Sequence, residues 1–172
     1  MPRVLILAMA VLAVAPFASA KEPIRPNPQI DYQGFAALTA DVGVYREGRR
    51  VPLAQFQTMA REENTVILDA RSADAYARGH IAGAVNLPFT DFTDASLARV
   101  IGPDRNRRIL IYCNNNFSND TAPVPTKGIR LALNVPTFIN LYGYGYPNIY
   151  ELADVVDFND PAVHWVRDGK GK

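Results

Sequence analysis

The chain has 172 residues, of which 48% are hydrophobic and 20% are charged. This length predicts one domain with short tails, and this balance is ordinary for a chain that buries a globular core. The formal net charge is only +1 and no basic stripe with interleaved aromatic residues occurs, so the composition argues against a nucleic-acid partner.

The first 20 residues have the three parts of a signal peptide. Arg3 provides a positive start, residues 4–15 are apolar, and Ala18-Ser19-Ala20 is a small-residue cleavage site. The apolar part is shorter than the roughly 20 residues of a membrane-spanning helix, and no apolar stretch of that length follows it. We therefore expect an exported protein, periplasmic or secreted, whose mature chain begins at Lys21 and is not held in a membrane.

Residues 21–50 are expected to precede the main domain as an extended arm and a short hairpin. Three prolines among the first nine of these residues are typical of a linker. Weak alternation around Val42 and Val44, followed by a turn at Glu47-Gly48, predicts a hairpin at the edge of a sheet.

Helices and strands are predicted to alternate in the main domain, residues 51–172, which ends in a C-terminal tail. The predicted helices span residues 52–60, 73–78, 95–101, 126–133 and 148–156, and the predicted strands span 65–68, a short stretch within 80–88, 109–112 and 137–141. Ser72 is suited to begin the second helix and Gly79 to end it. Strands that alternate with helices predict a mostly parallel sheet with helices on both faces.

The only cysteine of the chain, Cys113, directly follows the apolar strand at 109–112. In open α/β sheets ligands bind at the carboxyl ends of the strands, where loops and helix amino termini converge. Exported proteins usually pair their cysteines, and Cys113 has no partner in the chain, which favours a reactive thiol or an intermolecular bond. The alternative is a buried cysteine that packs as a small hydrophobic residue.

Three motifs resemble the rhodanese-like domain family, in the order that this family shows. They are Asp69-Ala70-Arg71, then Tyr76, then residues 79–88 with the sequence GHIAGAVNLP, and Cys113 follows at the family's active-site position. The resemblance covers roughly residues 51–156 and implies a three-layer α/β/α fold with a central, mostly parallel sheet. It also implies that Cys113 accepts a sulfane sulfur from a donor, holds it as a persulfide and passes it to a thiol acceptor, without a cofactor.

Several residues are expected to support such a thiol. Backbone N–H groups of a tight loop, with a helix amino terminus behind them, would stabilise the thiolate. Asp69 is expected either to brace that loop by hydrogen bonds or to cap the turn that follows it. The resemblance places Arg71 and His80 nearby, and we interpret His80 as a hydrogen-bonded structural residue rather than an acid or base. Two histidines and one cysteine argue against a zinc site.

The loop after Cys113 departs from the family pattern. It begins with Asn114, Asn115, Asn116, Phe117 and Ser118. Family members that act on thiosulfate usually have an arginine at the position of Ser118, and related phosphatases and arsenate reductases have one at the position of Asn119. Without that guanidinium, phosphate-type anion chemistry is not expected. Residues 114–125 are either an enlarged cradle over the thiol or a loop that only packs.

The first positive charges after the loop are Lys127 and Arg130, on a helix that Thr126 would cap. We interpret Lys127 as the first candidate for anion binding and Arg130 as the second, and the alternative is that Lys127 points into water.

Two further functions stay open at this point. One is a non-catalytic module that binds a protein partner through an aromatic rim, and the other is a thiol-redox sensor that forms mixed disulfides. The aromatic residues of that rim would be Phe117, Tyr142, Tyr144 and Tyr146.

Overall fold

A computed structural model of the protein describes residues 27–167. Of these, residues 32–167 belong to one compact unit, which carries the fold. The predicted signal peptide, residues 1–20, lies outside the described residues. The helices are α1 (Tyr32–Glu47), α2 (Leu53–Ala60), α3 (Ala73–Arg78), α4 (Asp94–Ile101) and α5 (Asn134–Gly143), and the strands are β1 (Arg50–Val51), β2 (Thr65–Asp69), β3 (His80–Ile81), β4 (Ala84–Asn86), β5 (Arg108–Tyr112), β6 (Ile149–Leu152) and β7 (Trp165–Val166).

Five strands form a sheet in the order β1-β6-β5-β2-β4, and every neighbouring pair in it is parallel. The short strands β3 and β7 form a separate antiparallel pair. Helices cover both faces of the larger sheet, so the predicted three-layer arrangement is confirmed. In the central pair, Asp69 of β2 lies opposite Tyr112 of β5, which brings the carboxyl ends of both strands to the same edge.

Alternate residues of β5 enter two different cores. Ile109 and Ile111 pack with side chains of α1, α4 and α5 on one face. Leu110 and Tyr112 pack with side chains of α2 on the other face. Because side chains alternate along a strand, this register directs Cys113, the next residue, towards the face that α5 covers.

The predicted hairpin within residues 31–51 is wrong, because this segment forms α1. Val42 is buried while Val44 is exposed. Residues two apart lie on the same face of a strand, so this difference contradicts the period of a strand and fits that of a helix. Leu38, Val42 and Tyr45 contact the first core, and their spacing of four and three residues places them on one helix face. The short alternation was a coincidence within a helical repeat.

The predictions for the C-terminal half of the domain are also wrong. Residues 137–141 lie in α5 rather than in a strand, and residues 149–152 form β6 rather than a helix. Thr126 begins no helix, since a 3-10 turn at Ile129–Leu131 is the first helical element after it. An apolar run of five residues suits a buried helix as well as a strand, and the core position of β6 between β1 and β5 decides its structure.

Candidate active site

Cys113 lies immediately after β5, at the carboxyl end of the central strand, and a 3-10 turn at Asn114–Asn116 follows it. Only 1% of the residue is exposed. Burial raises the pKa of the thiol, and the negative charge of Glu151 raises it further. Hydrogen bonds from the backbone N–H groups of Asn134, Asn115 and Leu133 act in the opposite direction.

The helix amino terminus that faces Cys113 is that of α5. The backbone N–H groups of its first residue, Asn134, and of the preceding Leu133 act to lower the pKa of the thiol. These N–H groups are free for the purpose because the first turn of a helix has no internal acceptors for them. The sequence predicted that the helix after the loop begins at Thr126, whereas α5 begins at Asn134.

Asn116 fastens the turn after Cys113 to two other elements. Its buried Oδ1 accepts hydrogen bonds from the backbone N–H of Cys113 at 2.9 Å and from Nδ2 of Asn134 at 3.0 Å. Its Nδ2 donates to the carbonyl oxygens of Leu152 at 2.8 Å and Asp154 at 3.1 Å. One side chain therefore joins the thiol-bearing strand to the end of β6 and to the start of α5.

The two preceding asparagines close the loop on itself. Asn114 donates from Nδ2 to the carbonyl oxygen of Pro125 at 2.7 Å. Asn115 donates to the carbonyl oxygen of Lys127 at 2.8 Å and accepts from its backbone N–H at 3.1 Å. The two ends of residues 114–127 are thereby held together.

Phe117 and Ser118 lead away from the thiol. The Phe117 ring is buried in the second core, with its centroid 5.9 Å from that of Tyr112 and 5.0 Å from that of Trp165. Ser118 donates its backbone N–H to the carbonyl oxygen of Val156 at 2.9 Å. Both residues anchor the loop, and neither contributes a charge.

The first interpretation of Asp69 was that it bonds to N–H groups of the loop after Cys113, and the structure shows no such bond among the residues that it describes. Its fully buried carboxylate accepts from the backbone N–H of Arg71 at 2.9 Å, from its guanidinium at 2.5–3.1 Å, and from the hydroxyl of Tyr112 at 2.6 Å. The bond to the Arg71 N–H is the turn cap that was the alternative interpretation. Asp69 therefore acts on the loop only through these two neighbours.

Arg71 extends from this pair to two other segments. It donates from Nη1 to the carbonyl oxygen of Pro123 at 3.3 Å and from Nη2 to that of Gly79 at 2.8 Å. Burial by itself would lower the pKa of Arg71, but the hydrogen bonds and charge of Asp69 outweigh it and the net shift is upward. Arg71 thus stays charged and ties the enlarged loop to the end of α3.

His80 lies in β3, away from the thiol. Its ring stacks on that of Tyr76 with centroids 3.8 Å apart, and its Nδ1 is 2.9 Å from the Tyr76 carbonyl oxygen. The preceding Gly79 has no room for a side chain, because a Cβ there would collide with the indole of Trp165. These contacts are those of a residue that packs and hydrogen-bonds within the fold.

A cavity of about 280 Å³ opens between α3 and the enlarged loop. Arg71 and Arg78 contribute to one wall, and Asn114, Lys127 and Leu133 contribute to the other. Cys113 itself is not among the lining residues, but Leu133 lines the cavity and its backbone N–H acts to lower the pKa of the thiol. Arg130, the second predicted anion-binding residue, is not part of these walls.

Sequence reasoning missed Asn134 and Glu151 as residues around the thiol. Both are buried, and both lie in elements whose structure was predicted wrongly, α5 and β6. A buried asparagine and a buried glutamate in otherwise apolar runs were the signals that could have found them.

Two negative findings apply to residues 27–167 alone. No group of three or more His, Cys, Asp or Glu side chains in that range is arranged to hold a metal ion. None of the helices described there combines the length and the apolar character that crossing a membrane requires.

A cysteine at the carboxyl end of a central parallel strand, facing a helix amino terminus, defines an α/β domain built around one thiol. The family model of the rhodanese-like domain matches residues 53–154, and the chain belongs to that family. It is similar to the thiosulfate sulfurtransferase GlpE of Pseudomonas putida (strain GB-1), with 28% identity over 101 residues that make up 59% of this chain and 90% of that protein.

Two solved structures are also similar. The BH2092 protein from Bacillus halodurans has a TM-score of 0.43 and 16% identity, and the similarity covers 69% of this chain and 74% of that one. A thiosulfate sulfurtransferase from Pseudomonas aeruginosa has a TM-score of 0.44 and 20% identity, over 70% of this chain and 21% of that one.

Proposed function

We propose that this protein is an exported sulfur carrier of the rhodanese type, in which Cys113 holds the sulfur as a persulfide. The observation that carries the proposal is the position of Cys113, directly after the central strand β5 and followed by a tight turn. The backbone N–H groups of Asn115, Leu133 and Asn134 act to lower the pKa of this thiol. The similarity to a thiosulfate sulfurtransferase supports it. The signal-peptide pattern of residues 1–20 supports export.

The proposed reaction consists of two displacements at sulfur. The Cys113 thiolate attacks the outer sulfur of the donor, the sulfur–sulfur bond of the donor breaks, and the rest of the donor leaves with the bonding electron pair. When the donor is thiosulfate, the leaving group is sulfite. An acceptor thiolate then attacks the outer sulfur of the persulfide, and Cys113 leaves as the thiolate. Electrons balance without an oxidant or a cofactor.

The N–H groups favour the anionic forms of this cycle. The outer sulfur of the persulfide would lie about 2 Å beyond the Cys113 sulfur, still near the start of α5. The partial positive charge of a helix amino terminus stabilises an anion there. Because the site is buried, each of these hydrogen bonds is electrostatically stronger than it would be in water.

The cavity beside α3 is the proposed binding place for the donor. Arg71 and Arg78 are paired with Asp69 and Asp74, whereas Lys127 forms no ion pair with any carboxylate in residues 27–167. We assign Lys127 the anion-binding function that an arginine performs elsewhere in the family. Its lining also includes Asn114, the residue after Cys113, and Leu133, whose backbone N–H acts on the thiol pKa; these two residues support a donor site near the thiol.

One observation favours a second function, a module that binds a protein partner. Cys113 is buried, while Ile129 and Leu131, on the turn before α5, are 84% and 78% exposed. Exposed apolar side chains beside the segment that faces the thiol suit a contact surface. The aromatic rim that was expected there does not form, because Phe117 and Tyr146 are buried.

Mass spectrometry of the intact folded protein separates the two functions. Incubation with thiosulfate or with polysulfide should add the mass of one sulfur atom, and a reductant should remove it. The variant Cys113→Ser is the control and should gain nothing. If neither donor modifies the folded wild-type protein, the sulfur-carrier function is rejected and the binding module remains.

A further inference from the structure

Helix α1 lies outside the residues that match the family model, yet it reaches the thiol site through Arg46. The guanidinium donates from Nε to Oε2 of Glu151 in β6 at 2.7 Å, and Nη2 bonds to the other carboxylate oxygen. The Glu151 side chain is 4% exposed and that of Arg46 is 28% exposed. A carboxylate buried to this extent requires a partner, and Arg46 provides it bidentately.

The register of the sheet places Glu151 next to Cys113. Glu151 lies opposite Ile111, and Cys113 is two residues further along β5, so its side chain is on the same face. From strand spacing and rise, the Cα atoms of Glu151 and Cys113 are about 8 Å apart on the diagonal. The charge of Glu151 accordingly raises the pKa of the thiol, in addition to the larger effect of burial.

Other charged side chains at this edge of the sheet interact with partners other than Glu151. Asp69 and Arg71 neutralise each other after β2. The carboxylate of Asp154, after β6, accepts from the backbone N–H of Leu53 at 2.7 Å. Within residues 27–167, Arg46 is the cation that forms an ion pair with Glu151.

We propose that Arg46 is a positioning residue for the thiol site, which keeps Cys113 nucleophilic by neutralising the buried carboxylate of Glu151. The proposal rests on the proposed function in one respect, that the thiolate of Cys113 is the reacting species. Under this proposal α1, which lies outside the residues that match the family model, influences the reactivity of the Cys113 thiol. Loss of Arg46 and loss of Glu151 should then have opposite effects on the thiol pKa.

The test measures the rate of Cys113 alkylation by iodoacetamide against pH in full-length variants. Arg46→Gln should raise the thiol pKa, and alkylation near neutral pH should become roughly tenfold slower. Glu151→Gln should lower the pKa, and the double variant should return it close to the wild-type value. Arg46→Lys keeps the positive charge and should restore most of the wild-type rate.

The matched control is Arg108→Gln. The Arg108 side chain is 27% exposed, close to the 28% of Arg46. It pairs with Glu62 at the end of β5 that is far from Cys113, so its loss should leave the thiol pKa unchanged. Shifts in the same direction for Arg46→Gln and Glu151→Gln would overturn the proposal, because general loosening of the domain would then explain both. If Arg46→Gln does not fold, an unchanged thiol pKa in Glu151→Gln overturns it equally.

Alkylation needs no sulfur donor, so this test is independent of sulfur transfer. The expected order of pKa values without any persulfide formation would support the Arg46 proposal and reject the proposed function. Persulfide formation with no change in thiol pKa among the variants would do the reverse.

Discussion

Replacing Asn116 by alanine should both destabilise the domain and disturb the thiol. The substitution removes the acceptor of two buried donors, the backbone N–H of Cys113 and Nδ2 of Asn134. It also removes the donor that serves the carbonyl oxygens of Leu152 and Asp154. Each buried donor left without a partner costs about 1–3 kcal/mol, so the expected loss for two donors is about 2–6 kcal/mol. That is a large part of the roughly 5–15 kcal/mol that stabilises a typical domain.

Urea unfolding followed by the fluorescence of Trp165 measures this loss. Trp165 is the only tryptophan of the chain, and its ring packs against that of Phe117 in the same loop. Asn119→Ala is the control, because the Asn119 side chain likewise donates and accepts, donating to Asp157 and accepting from the backbone N–H of Phe158. Since its bond to Asp157 is exposed, that variant should lose only about 1 kcal/mol.

The contrast between the two asparagines decides the matter. Equal losses for Asn116→Ala and Asn119→Ala would refute the reasoning, because burial would then make no difference to the value of these bonds. The same holds if Asn116→Ala loses less than about 1 kcal/mol, the net value of one ordinary hydrogen bond.

Four other outcomes are expected. Asp69→Asn leaves the buried Arg71 without its ion-pair partner and should lower the free energy of unfolding by roughly 3–5 kcal/mol in urea titrations, and replacing Arg71 by Met as well should recover part of it. Lys127→Ala should slow sulfur transfer from thiosulfate about tenfold but spare an uncharged donor, and equal losses would exclude Lys127 as the anion-binding residue. Because burial raises the pKa of Cys113 above the ordinary value of about 8.5, its alkylation rate should still rise at higher pH, and the stability that the neutral thiol contributes should be lost there. Amino-terminal sequencing of the exported protein should begin at Lys21.

The elements that could be predicted from sequence are those with strong local signals. Ser72 accepts a hydrogen bond from the backbone N–H of Ala75, and Gly79 ends α3, as their residue types indicated. The strands β2 and β5 are runs of β-branched and apolar residues with polar ends, and they form the centre of the sheet. Cys113 was located for the same reason, since it directly follows the clearer of the two strands.

Prediction failed where local and tertiary signals differ. Asn148 and Glu151 have the spacing of a helix capping box, but Glu151 is paired with Arg46 inside the protein and its segment is a central strand. Asp69 was expected either to brace the loop or to cap the turn after it; the turn cap is found, and the bonds to the Arg71 guanidinium and the Tyr112 hydroxyl were not predicted. Such pairings between distant segments leave no periodic trace in the sequence.

The three consecutive asparagines explain how an enlarged loop can still serve a thiol site. Between Cys113 and α5 the chain makes a long detour, and the N–H groups of α5 must nevertheless face the sulfur. Asn114 and Asn115 close the detour by bonding to Pro125 and Lys127, and Asn116 holds its two ends to the sheet. An amide side chain donates and accepts hydrogen bonds without a charge, so it avoids the desolvation cost that an arginine would incur here. Residues 114–125 therefore form a neutral scaffold without an arginine, and under the proposed function the positive charge for a donor comes from Lys127, which follows these residues.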